Sequence, residues 1–220
     1  GYFVLNNDRV VQLSSGRLVA PVSLHNRPGW AGPDWSGEVM CYLSDDGGMN
    51  WRRSQSSQKA HDPTGKRIVA QEPGVVELKD GRLLLWCRTN AGEQYRSISS
   101  DGGETWSPLR PMGIASPVSP ATIERIPTSG DLLLVWNNHS HLPPSERQAR
   151  TPLSVAISRD EGATWDHLKT LEDDPNGWYC YTAMAFTDDH VLLGHCAGDR
   201  RTGGLNTTQV SRVPLGWLYE

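Results

Sequence analysis

Ser44-Asp-Asp-Gly-Gly-Met-Asn-Trp51, Ser99-Ser-Asp-Gly-Gly-Glu-Thr-Trp106 and Ser158-Arg-Asp-Glu-Gly-Ala-Thr-Trp165 are three statements of one pattern, S-x-D-x-G-x-x-W. The residue types suit a tight turn closing a strand. Asp46, Asp101 and Asp160 can accept bonds from nearby backbone N–H groups, Gly48, Gly103 and Gly162 permit a positive φ, and the Trp can pack between strands. One copy would mean little. Three copies, each closing a strand-like run and spaced at roughly the length of one propeller blade, point to radially repeated four-stranded sheets.

Working outward, each repeat has the same interior. Val10–Leu13, a Ser-Ser-Gly turn and Arg17–Leu24 read as one hairpin. Val75–Leu78, Lys-Asp-Gly and Arg82–Arg88 read as the next, and Ala121–Ile126, Thr-Ser-Gly and Leu132–Asn137 as the third. A third strand then runs into each turn motif, at Val39–Leu43, Tyr95–Ser99 and Leu153–Ile157. A fourth hairpin, Tyr181–Phe186 with His190–Cys196, is followed by Asn206–Val213 and no such motif. The expectation is an all-β chain, a single β-propeller domain over residues 1–220 with about four blade-like units. The first unit begins abruptly at Gly1-Tyr-Phe-Val with no leading element. N-terminal blades are therefore expected to be missing, which would leave an open edge strand able to self-associate; a genuine four-bladed ring is the alternative.

Composition narrows the function classes. A formal net charge of -4 with acids and bases interspersed gives no basic footprint for nucleic acid and no polybasic or amphipathic membrane segment. No apolar run approaches the roughly 20 residues of a membrane-spanning helix, and residues 1–20 hold no signal-like segment; the compartment is left open. Cys41, Cys87, Cys180 and Cys196 fall inside strand-like runs and are expected as free thiols, although Cys180 and Cys196 could face each other across one hairpin. No Cys or His spacing suggests a metal, and no cofactor is implied.

Residues equidistant from a hairpin turn are cross-strand neighbours. Centring the second hairpin on Asp80 sets Glu72 opposite Arg88, and centring the fourth on Asp188 sets Tyr181 opposite His195. The corresponding ends of the first and third hairpins hold Asp8, Arg9 and His25, and Asn137, Asn138 and His139. Arg150 joins them because the strand it precedes runs back beside the second strand of its hairpin. Polar groups thus gather at the end of each hairpin away from its turn, opposite the S-x-D-x-G-x-x-W motifs. Trp35, in a connection at the same end, could offer an aromatic platform for a sugar. Glu72 with Arg88 could equally be a structural ion pair, and Tyr179 and Tyr181, two apart on one strand, are both candidates.

These residues resemble the sialidase (neuraminidase) superfamily, six-bladed propellers whose S-x-D-x-G-x-x-W turns are called Asp boxes. Gln71-Glu-Pro-Gly-Val-Val-Glu-Leu-Lys-Asp-Gly-Arg-Leu-Leu-Leu-Trp-Cys-Arg88 resembles the segment running from the glutamate beside the nucleophile to the second substrate arginine. Arg150-Thr-Pro-Leu-Ser-Val-Ala-Ile-Ser158 resembles the segment of the third arginine, and Tyr181-Thr-Ala-Met184 the strand of the nucleophilic tyrosine. Asn7-Asp-Arg-Val-Val-Gln-Leu-Ser-Ser-Gly-Arg-Leu-Val-Ala-Pro21 is similar to the hairpin before the middle Asp box.

The resemblance implies retaining hydrolysis of a terminal sialic acid, with Arg88 and Arg150 holding its carboxylate, Tyr181 as nucleophile and Glu72 taking the phenolic proton. Tyr179 stays the competing nucleophile, with Arg9, Asp8, Asn138 and Trp35 as further substrate contacts. The family's first arginine and acid/base aspartate belong to its first two blades, so the isolated chain is expected to be weak or inactive. Where the last hairpin of the family carries a glutamate, this chain has Gly194-His-Cys-Ala197. Another acidic glycan as substrate, or a non-catalytic carbohydrate-binding propeller, are the rival readings.

Overall fold

The computed structural model describes all 220 residues as strands joined by turns, with only two short 3-10 segments, in two compact units, Gly1–Ile114 and Ala115–Glu220. In the first unit, β1 (Tyr2–Val4), β2 (Val11–Gln12), β3 (Leu18–Asn26), β4 (Glu38–Ser44) and β5 (Arg52–Arg53) form one antiparallel sheet in which both β1 and β2 pair with β3. The second sheet runs β6 (Gln71–Glu77), β7 (Leu83–Arg88), β8 (Glu93–Ser99) and β9 (Arg110–Ala115) in that order. The second unit holds β10 (Thr122–Arg125), β11 (Leu132–Asn137), β12 (Leu153–Ser158) and β13 (Asp166–Glu172), and then a three-stranded sheet of β14 (Gly177–Phe186), β15 (His190–Asp199) and β16 (Thr208–Pro214).

Patterning explains which strands are central. β11 (LLLVWN) and β12 (LSVAIS) are buried at every position, as strands covered on both faces must be. β13 and β16 alternate exposed with less exposed positions and sit last in their sheets. In the first unit Val19, Val39, Cys41, Leu43, Leu83, Leu85 and Tyr95 belong to one apolar cluster. Leu133, Val155, Ile157, Val191 and Leu193 anchor the corresponding cluster of the second.

The S-x-D-x-G-x-x-W turns close as their residue types require. In the second, Ser99 Oγ donates to Asp101 Oδ1 (2.7 Å) and accepts from Gly103 N (2.9 Å), Thr105 N donates to Asp101 Oδ1 (2.9 Å), and Trp106 Nε1 donates to Gly103 O (3.0 Å). Gly103 has φ +90°, and a Cβ there would lie 3.2 Å from Leu43 Cδ2, so glycine answers both a backbone and a packing demand. The first two turns are also tied together. Arg17 pairs with Asp45 (2.6 Å) and Glu104 (3.1 Å), and Arg52 Nη1 donates to Glu104 Oε2 (2.7 Å), linking the two sheets of the first unit.

Two expectations change. Gly1-Tyr-Phe-Val is not a bare start, because β1 pairs with the far half of β3, Phe3 opposite Leu24 and Val4 opposite Ser23. The first strand of that hairpin is correspondingly short, and Asp8 in the gap between β1 and β2 has φ 55°. The hairpin arithmetic also slips by one at the end that matters. β6 pairs Gln71, not Glu72, with Arg88 and resumes at Gly74 with Trp86, while β14 pairs Cys180 with Cys196 and resumes at Ala183 with Gly194. Each is a β-bulge, an extra residue that the symmetric count does not contain. Glu72 (φ 50°) and Tyr181 (φ 56°) sit in these bulges with left-handed backbones.

Candidate active site

The first unit carries one cluster of the candidate residues, built on the β6 bulge. Glu72 donates its backbone N–H to Ser23 Oγ (3.0 Å) on β3, which fixes the bulge against the neighbouring sheet. The next two residues, Pro73 and Gly74, leave room for the Trp86 indole: a Cβ on Gly74 would lie 2.2 Å from Trp86 Cζ2. Bulging turns the Glu72 carboxylate toward Arg88 although the two are not register partners, and Arg88 Nη1 lies 2.9 Å from Glu72 Oε2. The pair is nearly dry, with side chains 13% and 9% exposed for Arg88 and Glu72. The register partner, Gln71, holds the other edge of the guanidinium: its Oε1 accepts from Arg88 Nη2 (2.6 Å), and its Nε2 donates to the Trp35 carbonyl.

Trp35 is 60% exposed, yet its loop is well fixed. Its ring packs on His25 and Tyr2 at centroid distances of 5.8 and 6.1 Å. His25 Nδ1 bonds the Asp34 carbonyl (2.9 Å), and the Asp34 carboxylate pairs with Arg67 (2.8 Å). Arg9 is buried, its guanidinium 5.9 Å from the Trp86 ring centroid and its Nη1 donating to the Asp8 carbonyl (3.5 Å); Asp8 is exposed.

The second unit carries a cluster of its own, built on the β14 bulge. The Arg150 carbonyl accepts from Tyr179 N (2.9 Å), so the segment before β12 is laced to β14. The Arg150 guanidinium then lies over two rings, 4.9 Å from Trp178 and 5.4 Å from Tyr181, and Nη2 donates to the Val118 carbonyl (3.4 Å). Burial alone would pull the pKa of Arg150 down, but the Cys180 thiol and Tyr181 phenol within hydrogen-bond reach more than offset this and raise it. The neighbours of this cation are aromatic faces, a carbonyl, a thiol and a phenol, so its charge is available to an anionic ligand.

The bulge also separates the two tyrosines, which regular alternation would have set on one face. Tyr179 packs into the apolar cluster with its ring 6.2 Å from His195, and burial raises its pKa. Tyr181 is half-buried beside Arg150. Tyr181 and Thr182 together fill the space opposite His195, whose ring bonds the Cys196 carbonyl (3.0 Å) and Ser211 Oγ (3.3 Å). Asn138 is half-buried and caps Ser140 N through Oδ1 (3.0 Å), while His139 is buried against the Thr151 carbonyl (2.8 Å) and burial lowers its pKa. No group of three or more His, Cys, Asp or Glu side chains is placed to hold a metal.

Of the residues singled out from sequence, Glu72 and Arg88 meet in the first unit, and Arg150 and Tyr181 in the second. Tyr179 is engaged in packing and Asn138 in local capping, while Arg9 lies buried beside Trp86. Sequence reasoning missed Gln71, which takes the register place assigned to Glu72, and Trp178, the second face beneath Arg150. A signal for Gln71 existed, since Pro and Gly at 73 and 74 mark an irregularity in a strand. None existed for Trp178.

The sheets, the Asp-box turns and the left-handed site residues define a propeller of the Asp-box class. The model of the BNR repeat-like domain matches residues 4–193, and the chain belongs to that family, within the sialidase superfamily of propellers. A sialidase of Micromonospora viridifaciens is 25% identical over 179 residues, covering 77% of this chain and 25% of the relative. A sialidase of Bacteroides fragilis is 28% identical over 202 residues, covering 87% of this chain and 33% of the relative. The solved NanB sialidase of Streptococcus pneumoniae superposes with a TM-score of 0.71 at 22% identity, covering 97% of this chain and 31% of that one. The fold is thus the sialidase β-propeller, and the chain spans a quarter to a third of the length of these relatives.

Proposed function

We propose that this chain carries the nucleophile and carboxylate-binding groups of a sialidase-type glycoside hydrolase that releases a terminal sialic (nonulosonic) acid with retention of configuration. The observation that carries the reading is Arg150 lying 5.4 Å over the Tyr181 ring with no carboxylate among its contacts. A guanidinium so placed suits the carboxylate on the anomeric carbon of a sialic acid, and the phenol beside it is a nucleophile without negative charge to repel that carboxylate. Arg88, held by Gln71 and Glu72, is the second carboxylate ligand.

On this reading Tyr181 Oη attacks the anomeric carbon as a base takes its proton, the role the family resemblance gives Glu72, and the aglycone departs. Water then attacks the anomeric carbon, the bond to Tyr181 Oη breaks as the phenolate recovers its proton from the base, the water's own proton passes to the group that had protonated the aglycone, and two inversions give retention. No residue of this chain is assigned the acid that protonates the leaving oxygen. The sialidase relatives support the substrate class. The test is turnover of an aryl α-sialoside by the intact polypeptide that carries this chain, beside its Tyr181→Phe variant, with a fluorinated sialosyl fluoride used to trap the intermediate. A sialosyl adduct on the peptide containing Tyr181 is expected. An active protein labelled elsewhere would remove Tyr181 from the role, and an intact protein that turns over no nonulosonic substrate would sink the whole assignment.

A further inference from the structure

Cys180 and Cys196 are register partners across the β14–β15 hairpin, both free, and their thiols are within hydrogen-bond reach of each other. Residues directly opposite in an antiparallel pair have Cα atoms about 4.5–5.5 Å apart, inside the roughly 4.4–6.8 Å that a disulfide spans. Their Cβ atoms, about 4.5–5.5 Å apart in such pairs, must close to about 3.8 Å, a movement of about an ångström. Next to Cys180 the ladder is already broken by the Tyr181–Thr182 bulge, so the strand can give there.

The pair is also reachable. Cys41 and Cys87 are wholly buried in sheets of the first unit, and burial pushes the Cys87 thiol up to about 12. Cys196 by contrast is half-exposed, with the buried Cys180 behind it. Cys180 is at the same time a neighbour of the Arg150 guanidinium and the residue before Tyr181.

We propose that Cys180 and Cys196 are a peroxide-sensitive dithiol whose closure to a disulfide displaces Arg150 and Tyr181. Cys196 Sγ attacks hydrogen peroxide, takes up one oxygen as the sulfenic acid, and water leaves. Cys180 Sγ then attacks the Cys196 sulfur, forming the S–S bond and releasing a second water. Overall the two thiols give up two electrons and two protons, and one peroxide becomes two waters. A thiol reductant reverses the change. Burial raises the Cys180 thiol to about 11 against the opposing pull of Arg150, so the resolving step should quicken about tenfold per unit between about pH 7 and 9. Closure removes the thiol from Arg150 and draws in the strand at Tyr181; a displacement of about an ångström at a reacting group costs on the order of 10²-fold in rate. The effect on turnover rests on the proposed sialidase reading, whereas closure itself does not.

The experiment treats the intact polypeptide with hydrogen peroxide, maps cross-links by peptide mass spectrometry, and follows aryl sialoside turnover before and after dithiothreitol. The expected result is a linkage of residues 180 and 196 with loss of two hydrogens, turnover reduced on the order of 10²-fold and restored by reductant, and no response in Cys196→Ser or Cys196→Ala. Sulfinic acid at Cys196 without a cross-link, or no modification of the folded protein, overturns the dithiol. A cross-link with unchanged turnover overturns its link to the site. If the reduced protein has no turnover at all, the sialidase reading fails while the cross-link map still decides the dithiol.

Discussion

Removing the Glu72 carboxylate tests the cluster on the β6 bulge at its buried ion pair. Breaking a buried ion pair by deleting one partner costs about 3–5 kcal/mol, because the remaining charge is stranded. Here Arg88 keeps its bond to the Gln71 oxygen and is 13% exposed, so Glu72→Ala should cost less, about 2–3 kcal/mol. Glu72→Gln retains the shape and an acceptor and should cost about 1 kcal/mol. Urea unfolding followed by tryptophan fluorescence reads these losses as a lower midpoint at unchanged slope. In a cycle of Glu72→Gln with Arg88→Met, the double variant should lose less than the sum of the singles by about 1–2 kcal/mol. On the proposed chemistry the same Glu72→Gln change lowers kcat about 10²–10⁴-fold. Additive losses in the cycle, or a Glu72→Ala cost no larger than at an exposed glutamate, would refute the buried pair and the bulge that makes it.

Gln71→Met removes the neutral acceptor from Arg88 and should raise KM for a sialoside about tenfold with kcat nearly unchanged; equal falls in kcat and kcat/KM would contradict a binding role. Arg150→Lys keeps the charge but loses the planar face over Trp178 and Tyr181, and should raise KM about 10- to 100-fold with unaltered circular dichroism. Bonds from the Thr164 hydroxyl and backbone hold the Asp160 carboxyl down to about 2, below its ordinary 3.8. That stabilisation is fully present above the unfolded value and is lost as pH falls toward 2. Melting temperature should therefore drop through this window, and less steeply in Asp160→Asn. Gly103→Ala, with φ +90° and Leu43 at 3.2 Å, should lose about 2 kcal/mol, whereas Gly47→Ala, with φ +72° and open space, should lose about 1 kcal/mol.

The Asp boxes were legible because each is largely a local device within eight residues, the Ser hydroxyl donating to the Asp carboxylate and accepting from the Gly N–H in all three copies. The hairpins were legible for a related reason, since pairing from a tight turn outward follows from a period of two. That arithmetic carried Arg88 and Glu72 to the same end of one blade and Tyr181 to the corresponding end of another. It failed at the last step because a bulge adds a residue without changing composition. At Glu72 the following Pro73 and Gly74 hinted at it; at Tyr181 the sequence Cys-Tyr-Thr-Ala reads as ordinary strand. The choice between Tyr179 and Tyr181 depended on that unseen residue. Partners that come from elsewhere in the chain, Ser23 beneath Glu72 and Trp178 beneath Arg150, lie beyond any local pattern.

Asp8, Glu72 and Tyr181, each well before the turn of its hairpin, share a backbone conformation that side chains with a Cβ rarely adopt. A residue held there costs on the order of 1–3 kcal/mol. Shortening β14 by one residue at the bulge would restore an unbroken ladder and make the hairpin more stable, while turning the phenol away from its arginine. On the proposed chemistry, drift toward a sturdier protein thus runs against function. A blade that had given up chemistry would be recognisable by its regular ladder even with its tyrosine still in place.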